Sequence, residues 1–327
     1  MENKSMEREV VGIDVSKKKF DVALLAGAKK KSKVFPNTSG GFASFNQWLA
    51  RHGVEKAHAC MEATGVYGDK LAAYLHQAGH VVSVVNPARI KGFAQGELSR
   101  TKTDKADAAL IARFCASMRP DAWEPPAPGL KQLQALVRRL ESLNDMLTQE
   151  TNRLAVSEEV VRPSIEGVIG HLKEEIKKTR RMIREGVDND PDLRGKRELL
   201  ESIPGIGEVT SAMILAEFCG VERFDNARRM ASFCGLAPRH HQSGSSVRGK
   251  SRMSKTGSSR IRRALFLPAL VAMKYNPVVA AFCERLRGYG KPKMVIVGAA
   301  MRKLLHIVFG VLKNGRPFDP SLAELNG

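Results

Sequence analysis

The stretch Val10–Leu25, VVGIDVSKKKFDVALL, decides the fold of the N-terminal part of the chain. Two apolar runs flank the polar turn Ser16–Lys19, which predicts two strands of a hairpin. Ser32–Asn37 continues the meander as a third strand. Asp14 lies inside the first run, in GIDVS, where a carboxylate needs a partner or a metal to offset the cost of its desolvation.

The next residues, up to about position 120, alternate between helical and strand patterns. The spacing of apolar residues predicts helices over Gly41–His52, Tyr67–Ala78 and Asp104–Met118, and strands over Ala57–Ala63 and Val81–Val85. A meander followed by strands that alternate with helices predicts an α/β domain with a mixed sheet and helices packed on it.

Beyond this domain the sequence predicts mainly helix. The linker Pro120–Gly129, PDAWEPPAPG, cannot be crossed by a helix. Leucines then recur every seven residues from Leu133 to Leu154, and a second apolar helical run comes after Pro163, which predicts a coiled-coil segment. Its two helices could fold back as a hairpin or pair between subunits.

The last part of the chain is predicted as helices around a basic loop at 235–259. A boundary is expected at Asp188–Gly195, and closing helices over Ile261–Met273, Pro277–Leu286 and Met294–Leu312. We therefore predict an α/β domain at 1–119, a linker at 120–129, a coiled-coil segment at 130–187 and a mainly α domain with a helix-hairpin-helix at 188–327.

The charge of the chain indicates an acidic partner. Lys and Arg number 53 against 34 Asp and Glu, a net charge of +19. Such an excess favours nucleic acid, an anionic membrane face or a ribosome-like assembly. We find no run of about 18 apolar residues, no apolar signal core at the N-terminus and no cysteine spacing typical of zinc. These features predict a cytoplasmic protein that does not span a membrane.

Four carboxylates of the first domain carry the main chemical signal. Asp14 is one; Glu62 ends the apolar run ACMEATG, and Asp104 and Asp107 are three apart at the start of a helix. Oxygen ligands of this kind suit Mg²⁺ or Mn²⁺, and a pair of such ions supports phosphoryl transfer. Taken singly, Asp104 could instead be a helix N-cap and Asp107 a first-turn partner of the helix dipole.

Two features of the last domain indicate a polyanion. The turn Ile203–Gly207, IPGIG, is a helix-hairpin-helix pattern, in which Gly205 and Gly207 would let backbone N–H groups approach a phosphate; an ordinary helical hairpin has the same turn. From Asn226 to Cys283 there is no acidic residue, and ten basic residues lie within 228–263. The residues predicted to bind nucleic acid, besides the two glycines, are Arg239, Arg248, Lys250, Arg252, Lys255, Arg260, Arg262 and Arg263.

Serines lie among these cations. A hydroxyl in such a setting is suited to attack a phosphodiester, because the cations neutralise the developing charge. Chemistry by itself does not choose among Ser243, Ser245, Ser246 and the later serines of the same stretch.

Five segments resemble one family. GIDVSKKKFDV, MEATGVYGDKLAAYL and VVNPARIKGFAQGELSRTKTDKADAALIARF resemble the N-terminal domain of the DEDD transposases of bacterial insertion sequences, the bridge-RNA-guided recombinases. IPGIGEVTSAMILAEF and FCGLAPRHHQSGSSVRGKSRMSKTGSSRIRRAL resemble the second conserved domain of the same family. The resemblance covers nearly the whole chain, in the family's order.

This resemblance implies a fold, a site and partners. The fold would be RNase H-like, as in RuvC-like junction resolvases, with Mg²⁺ (Mn²⁺ possible) at Asp14, Glu62, Asp104 and Asp107. Ser243, in the Ser-Gly motif after GLAP, would form a phosphoserine link to DNA. The partners would be donor and target DNA, a noncoding bridge RNA that pairs with both, and further copies of the chain in a dimer of dimers. The protein would lie in the bacterial cytoplasm, associated with the nucleoid.

Two other functions are compatible with the residues themselves. A hydrolytic Holliday-junction resolvase-like nuclease would use the same four acids with water as the nucleophile. A non-catalytic DNA- or RNA-binding scaffold would need the basic residues but not the acids, which leaves the position of Asp14 unexplained.

Overall fold

The computed structural model describes residues 9–26, 29–63, 65–97, 104–218, 220–239, 242–243, 247–248, 252–254 and 256–321. Its internal contacts divide the chain into unit 1, Met1–Pro125, and unit 2, Pro126–Gly327. The division falls within the proline-rich stretch 120–129, and the two units are described separately.

Unit 1 is built on a five-stranded mixed sheet with the order β3-β2-β1-β4-β5. The strands are β1 (Glu9–Val15), β2 (Lys19–Ala26), β3 (Lys29–Pro36), β4 (Ala57–Glu62) and β5 (Val81–Val85). The first three strands pair antiparallel, whereas β4 runs parallel to both β1 and β5. The predicted meander and mixed sheet are confirmed, and the arrangement is consistent with an RNase H-like α/β domain.

Four helices accompany the sheet. They are α1 (Ser39–Ala50), α2 (Asp69–Gln77), α3 (Pro87–Gly96) and α4 (Asp104–Met118). Helix α3 was not predicted from the sequence, because the pair Asn86-Pro87 directly follows strand β5 and is typical of the end of a strand. The same pair starts a helix: the Asn86 side chain accepts a hydrogen bond from the Ala88 amide at 2.8 Å, and proline fits the first helical position.

The two faces of the sheet are packed differently. One face carries a large aromatic core that includes Phe20, Phe35 and Phe45. On the other face α4 lies close to β1, with small residues such as Ala108 and Ala112 at the contact. Gly12 permits this approach, because a Cβ there would lie 2.1 Å from the Ala108 carbonyl oxygen and 2.2 Å from the Ala112 amide nitrogen.

A buried histidine links the sheet to α1. The Nδ1 atom of His80 accepts a hydrogen bond from the Ala57 amide at 3.1 Å, and its Nε2 atom lies 2.8 Å from Oδ1 of Asn46. A ring that accepts at Nδ1 is neutral and donates from Nε2. Burial lowers the pKa of His80 from the ordinary value of 6.5. Protonation would remove the acceptor for the Ala57 amide.

The unfolded chain therefore binds a proton at His80 more readily than the folded chain. Unit 1 should have its full stability above pH 6.5 and lose part of it as the pH falls from that ordinary value toward the lowered pKa of the folded state. Urea unfolding followed by tryptophan fluorescence measures this, because Trp48 and Trp123, the two tryptophans of the chain, both lie in unit 1. His80→Gln should make the free energy of unfolding of unit 1 depend less on pH. His171→Gln, at an exposed position of unit 2, should leave that dependence unchanged.

Unit 2 is helical apart from short strands in its basic segment. Its helices are α5 (Pro128–Ala155), α6 (Arg162–Asp188), α7 (Pro191–Glu201), α8 (Glu208–Phe218), α9 (Ala227–Phe233), α10 (Ser259–Tyr275), α11 (Pro277–Gly288) and α12 (Lys293–Asn314). A short 3₁₀ turn, Glu159–Val161, precedes α6. The three predicted closing helices are confirmed, while α9 was not predicted and the break before α7 is only two residues long.

The long helices α5 and α6 fold back on each other within one chain. Leu133, Leu140 and Leu143 of α5 and Ile176 and Ile183 of α6 are buried in a core that also includes residues of α7 to α12. The apolar seam predicted from the sequence is thus covered by the chain's own helices along much of its length. This hairpin is one of the two arrangements that the sequence left open.

The segment predicted as a basic loop contains paired backbone. Its strands are β6 (Pro238–Arg239), β7 (Gln242–Ser243), β8 (Val247–Arg248) and β9 (Arg252–Met253). β6 pairs antiparallel with β9, and β7 pairs antiparallel with β8 inside them. We call these four strands the serine hairpin.

Helix α12 is the most apolar long helix of the described chain. It is long enough to cross a membrane, and its most apolar 18-residue window has a mean hydropathy of 1.8. Half of its apolar window is buried within the protein, and Ala300, Leu304 and Val308 are fully buried in the core of unit 2. This burial is typical of a core helix.

Candidate active site

The four predicted carboxylates all lie in unit 1, on the face of the sheet that α4 covers. Asp14 and Glu62 directly follow Ile13 and Met61, the last paired residues of the parallel strands β1 and β4. Side chains alternate along a strand, so Asp14 shares the face of Gly12, against which α4 packs. Asp104 and Asp107 form the acidic first turn of α4.

The electrostatics of Asp14 reflect this crowding. The pKa of Asp14 is raised from 3.8 to about 6, first by burial and then by the negative charges of Asp104, Asp107 and Asp21, while Lys19 acts in the opposite direction. Burial also raises the pKa of Glu62, with Asp14 and Asp107 as the next causes. Asp14 therefore lies within electrostatic reach of the other three predicted acids.

Two residues at this site were not predicted. Asp21 lies directly across from Asp14 in the β1–β2 ladder and is buried. Lys19 donates a hydrogen bond to Oδ2 of Asp104 at 2.9 Å, lies 3.3 Å from Oδ2 of Asp21, and lowers the pKa of Asp104. The signal in the sequence was the hairpin register, which places Asp21 opposite Asp14 once the Ser16–Lys19 turn is fixed.

The donor set fits a divalent cation. The site combines five carboxylates with one nearby lysine, and each carboxylate is a hard oxygen ligand. Within the described residues no group of three or more His, Cys, Asp or Glu side chains is arranged tightly enough to hold a metal as it stands. Like charges gathered around a half-buried carboxylate are nevertheless the arrangement that a bound cation would stabilise.

The predicted nucleophile lies in the serine hairpin of unit 2. Ser243 is the last residue of β7 and pairs with Val247 of β8 across the hairpin. Only the backbone of Ser243, Arg239, Arg248 and Arg252 is described, and Lys250 and Lys255 lie outside the described residues, as do Ser245 and Ser246. These assignments stay predictions.

The glycine turn between α7 and α8 packs on α10. Gly205 has a φ of +105°, and a Cβ on it would lie 2.8 Å from the Pro268 carbonyl oxygen. Asn276 also donates a hydrogen bond to the Pro204 carbonyl at 3.4 Å. Gly207 immediately precedes α8 and has open space where its Cβ would stand. Packing thus accounts for Gly205, and the predicted phosphate contact of Gly205 and Gly207 stays a prediction.

Three of the predicted nucleic-acid-binding arginines have partners within unit 2. Arg260 forms ion pairs with Glu141 of α5 at 2.9 Å and Glu217 of α8 at 3.6 Å. Arg263 pairs with Asp145 of α5 at 3.2 Å. Arg262 donates to the Cys234 carbonyl at 2.9 Å. The counter-charges that the basic stretch lacks in sequence are therefore supplied in part by α5 and α8.

Two family models match this chain in the order of its two units. The model described as "Transposase", for DEDD transposases of the IS110 type, matches residues 11–156, and the model described as "Transposase IS116/IS110/IS902 family" matches residues 197–284. The chain belongs to the IS116/IS110/IS902 family of transposases. The first match begins at β1 and contains all four acids of the site; the second contains the serine hairpin.

Similar transposases and recombination proteins support this membership along the whole chain. The pilin gene-inverting proteins of Moraxella bovis and Moraxella lacunata are each 35% identical over 322 residues, which is 98% of this chain and 100% of theirs. The transposase for insertion sequence element IS1328 of Yersinia enterocolitica is 24% identical over 62% of this chain and 67% of its own length.

Membership defines the general activity of this transposase. It is an enzyme that acts on DNA in transposition and recombination, and its DEDD family implies the use of a divalent metal, commonly Mg²⁺. The acids gathered at the ends of β1 and β4 and at the start of α4 are the residues of unit 1 whose chemistry suits that metal.

Proposed function

We propose that this transposase is a bridge-RNA-guided recombinase that cuts and rejoins donor and target DNA. Its acids would be Asp14, Glu62, Asp104 and Asp107, and its nucleophile Ser243. The observation that carries the proposal is the half-buried Asp14, which has four further carboxylates within electrostatic reach: Glu62 on β4, Asp104 and Asp107 on α4, and Asp21 on β2.

The acids on the strands and the acid at the start of α4 differ in how they are held. Asp14 and Glu62, at the ends of paired strands, form the rigid part of the site, while Asp104 is exposed at the start of α4. When bound, Mg²⁺ would activate the attacking oxygen and stabilise the leaving oxygen. Lys19 holds Asp104 through a hydrogen bond of 2.9 Å to Oδ2, which leaves Oδ1 as the oxygen that would bind the metal.

The serine step conserves the energy of the phosphodiester. The Ser243 hydroxyl loses its proton, its Oγ forms a bond to phosphorus, and the bond from phosphorus to a sugar oxygen breaks, so that the sugar leaves as a hydroxyl. Attack by a sugar hydroxyl from another strand reverses these changes and releases the serine. No external energy source is needed, because one ester is exchanged for another.

Guidance by RNA accounts for the size of the charge excess. A net charge of +19 suits a protein that holds a guide RNA and DNA at the same time. Sequence specificity would then belong to base pairing, and the protein would recognise mainly backbone. Assembly as a dimer of dimers, as the family resemblance implies, would bring together donor and target DNA.

The test combines the protein, the noncoding RNA of its element and labelled donor and target DNA, with Mg²⁺ or with a chelator. We expect recombined product and a protein–DNA band that resists denaturant, both lost with the chelator. Ser243→Ala should lower the rate at which the covalent protein–DNA band forms by at least about 10³-fold. Ser245→Ala and Ser246→Ala change neighbouring serines in the same way and should leave that rate unchanged.

The same experiment separates recombination from hydrolysis. Free cut ends without any covalent band, unaffected by Ser243→Ala, would instead establish a resolvase-like nuclease that uses water. The relatives favour the first outcome, because the two Moraxella proteins are named for gene inversion, and inversion requires that cut ends be rejoined. The same reaction without the RNA tests guidance, because recombined product should then be lost even though the protein's catalytic residues are intact.

A further inference from the structure

Helices α9 and α12 of unit 2 carry basic side chains without acidic partners. Arg229 of α9 pairs with Asp225 at 3.4 Å, but its neighbour Arg228 has no ion pair among the described residues. Arg302 of α12 likewise has none in the part of the chain that the structure describes. The Nζ atom of Lys303 lies over the Phe282 ring, 5.9 Å from its centroid, and Lys303 has no ion pair among the described residues.

The charges of these three cations all act on one histidine of α12, His306. Burial lowers the pKa of His306, and Arg302, Lys303 and Arg228 are the next causes, in that order. The Nε2 atom of His306 is buried and has no hydrogen-bond partner. Positive charges within electrostatic reach of one side chain favour the binding of an anion beside them. We call Arg228, Arg302, Lys303 and His306 the α9–α12 basic cluster.

The basic cluster lies on the helix that supports the serine hairpin. The Cε atom of Met253, in β9, is 2.7 Å from the position that a Cβ on Gly298 would occupy. Gly298, Arg302 and His306 are spaced four residues apart and share one face of α12, with a rise of about 6 Å at each step. The cluster therefore continues from the base of the hairpin along α12.

We propose that Arg228, Arg302 and Lys303 bind backbone phosphates of the DNA strand that Ser243 attacks. The ligand class is a phosphodiester, which guanidinium groups bind through paired hydrogen bonds. This inference rests on the proposed function, because it identifies the bound strand by its proximity to the serine hairpin. The contacts are independent of sequence, and they fix the strand rather than read it.

The test measures equilibrium binding of duplex DNA by full-length Ser243→Ala protein, so that no covalent product forms. Binding is measured from about 50 to about 200 mM salt, a range over which phosphate contacts dominate the change in affinity. Arg302→Gln and Arg228→Gln should each weaken binding about tenfold at low salt and reduce the slope of log K against log salt by about 1. Arg302→Lys should retain most of the slope.

The control removes the same charge elsewhere in unit 2. Arg181→Gln deletes an exposed arginine that already pairs with Glu185, and it should leave affinity and slope unchanged. Equal loss in Arg181→Gln and Arg302→Gln would overturn the inference, as would wild-type slopes in both cluster variants. Binding of duplex RNA of the same sequence is measured in parallel. If the cluster variants weaken binding of that RNA and not of the DNA, the cluster binds RNA and the DNA assignment is overturned.

Failure of the proposed function has a different signature. If Ser243 is not the nucleophile, the Ser243→Ala protein still forms the covalent band, whereas the slopes still report whether the cluster binds phosphates. In protein that retains Ser243, Arg302→Gln should lower the amount of covalent protein–DNA band at limiting DNA. At saturating DNA the amount should return to that of the wild type. Loss at saturating DNA would indicate a role in chemistry instead of binding.

Discussion

Asp14→Asn is expected to lower the rate of DNA strand transfer by at least about 10³-fold while making the metal-free protein more stable. Asparagine has the shape of aspartate but no charge, so it removes a metal ligand without leaving a cavity. It also removes a negative charge that lies opposite Asp21 and within reach of Asp104 and Asp107. In the absence of metal that repulsion destabilises unit 1.

Activity and stability should therefore change in opposite directions. Tryptophan fluorescence should show the midpoint of thermal unfolding of unit 1 rising by about 2–4 °C in Asp14→Asn without metal. Added Mg²⁺ should raise the midpoint of the wild type and have little effect on the variant, because ligand that binds the folded state stabilises it. Asp69→Asn, in the exposed first turn of α2, is the matched control and should leave both quantities unchanged.

A structural role for Asp14 would give another pattern. If the carboxylate only held the fold, Asp14→Asn would lower the midpoint, and the loss of strand transfer would result from unfolding. Full strand transfer by a stable Asp14→Asn protein would remove Asp14 from the metal site altogether.

Gly12→Ala is expected to destabilise unit 1 by at least about 3 kcal/mol, although it adds a single methyl group. The new Cβ would lie 2.1 Å from the Ala108 carbonyl oxygen and 2.2 Å from the Ala112 amide nitrogen. These are backbone atoms of α4, so no side chain can rotate away and the whole helix must shift. Because α4 carries Asp104 and Asp107, strand transfer should also fall in molecules that remain folded.

Urea unfolding followed by tryptophan fluorescence measures the effect on unit 1. Gly92→Ala is the matched control: it lies within α3, meets nothing within 4 Å and should be neutral or stabilising by up to about 1 kcal/mol. A wild-type midpoint in Gly12→Ala would show that α4 does not pack on β1 as described.

The sequence predicted most of unit 1 because its signals are local. The alternation in Val10–Leu25 predicted β1 and β2, and the helical spacing after Asp104 predicted α4 with its observed bounds. The helix α3 was missed because Asn-Pro can end a strand and start a helix with the same two residues, and the apolar spacing after Pro87 is weak. In unit 2, the short α9 spans too few residues for its period to be recognised.

The sequence predicted the four acids of the candidate site but not the two residues that neighbour them. Asp14, Glu62, Asp104 and Asp107 were singled out by their positions at the ends of apolar runs, and the strands and α4 bring them to one face. Lys19 and the buried Asp21 were missed. Their role depends on the hairpin register and on the contact of Lys19 with a residue 85 positions away, which no local pattern encodes.

The sequence by itself determined which residues are candidates for the chemistry and the sign of the charge around them. Only the tertiary structure decided which charges are compensated. Arg260 and Arg263 find Glu141 and Asp145 on α5, more than 100 residues earlier, whereas Arg228 and Arg302 lie together without such partners among the described residues. The physical reason is that an ion pair requires contact at a few ångströms, and contact between distant helices is set by the packing of their apolar faces.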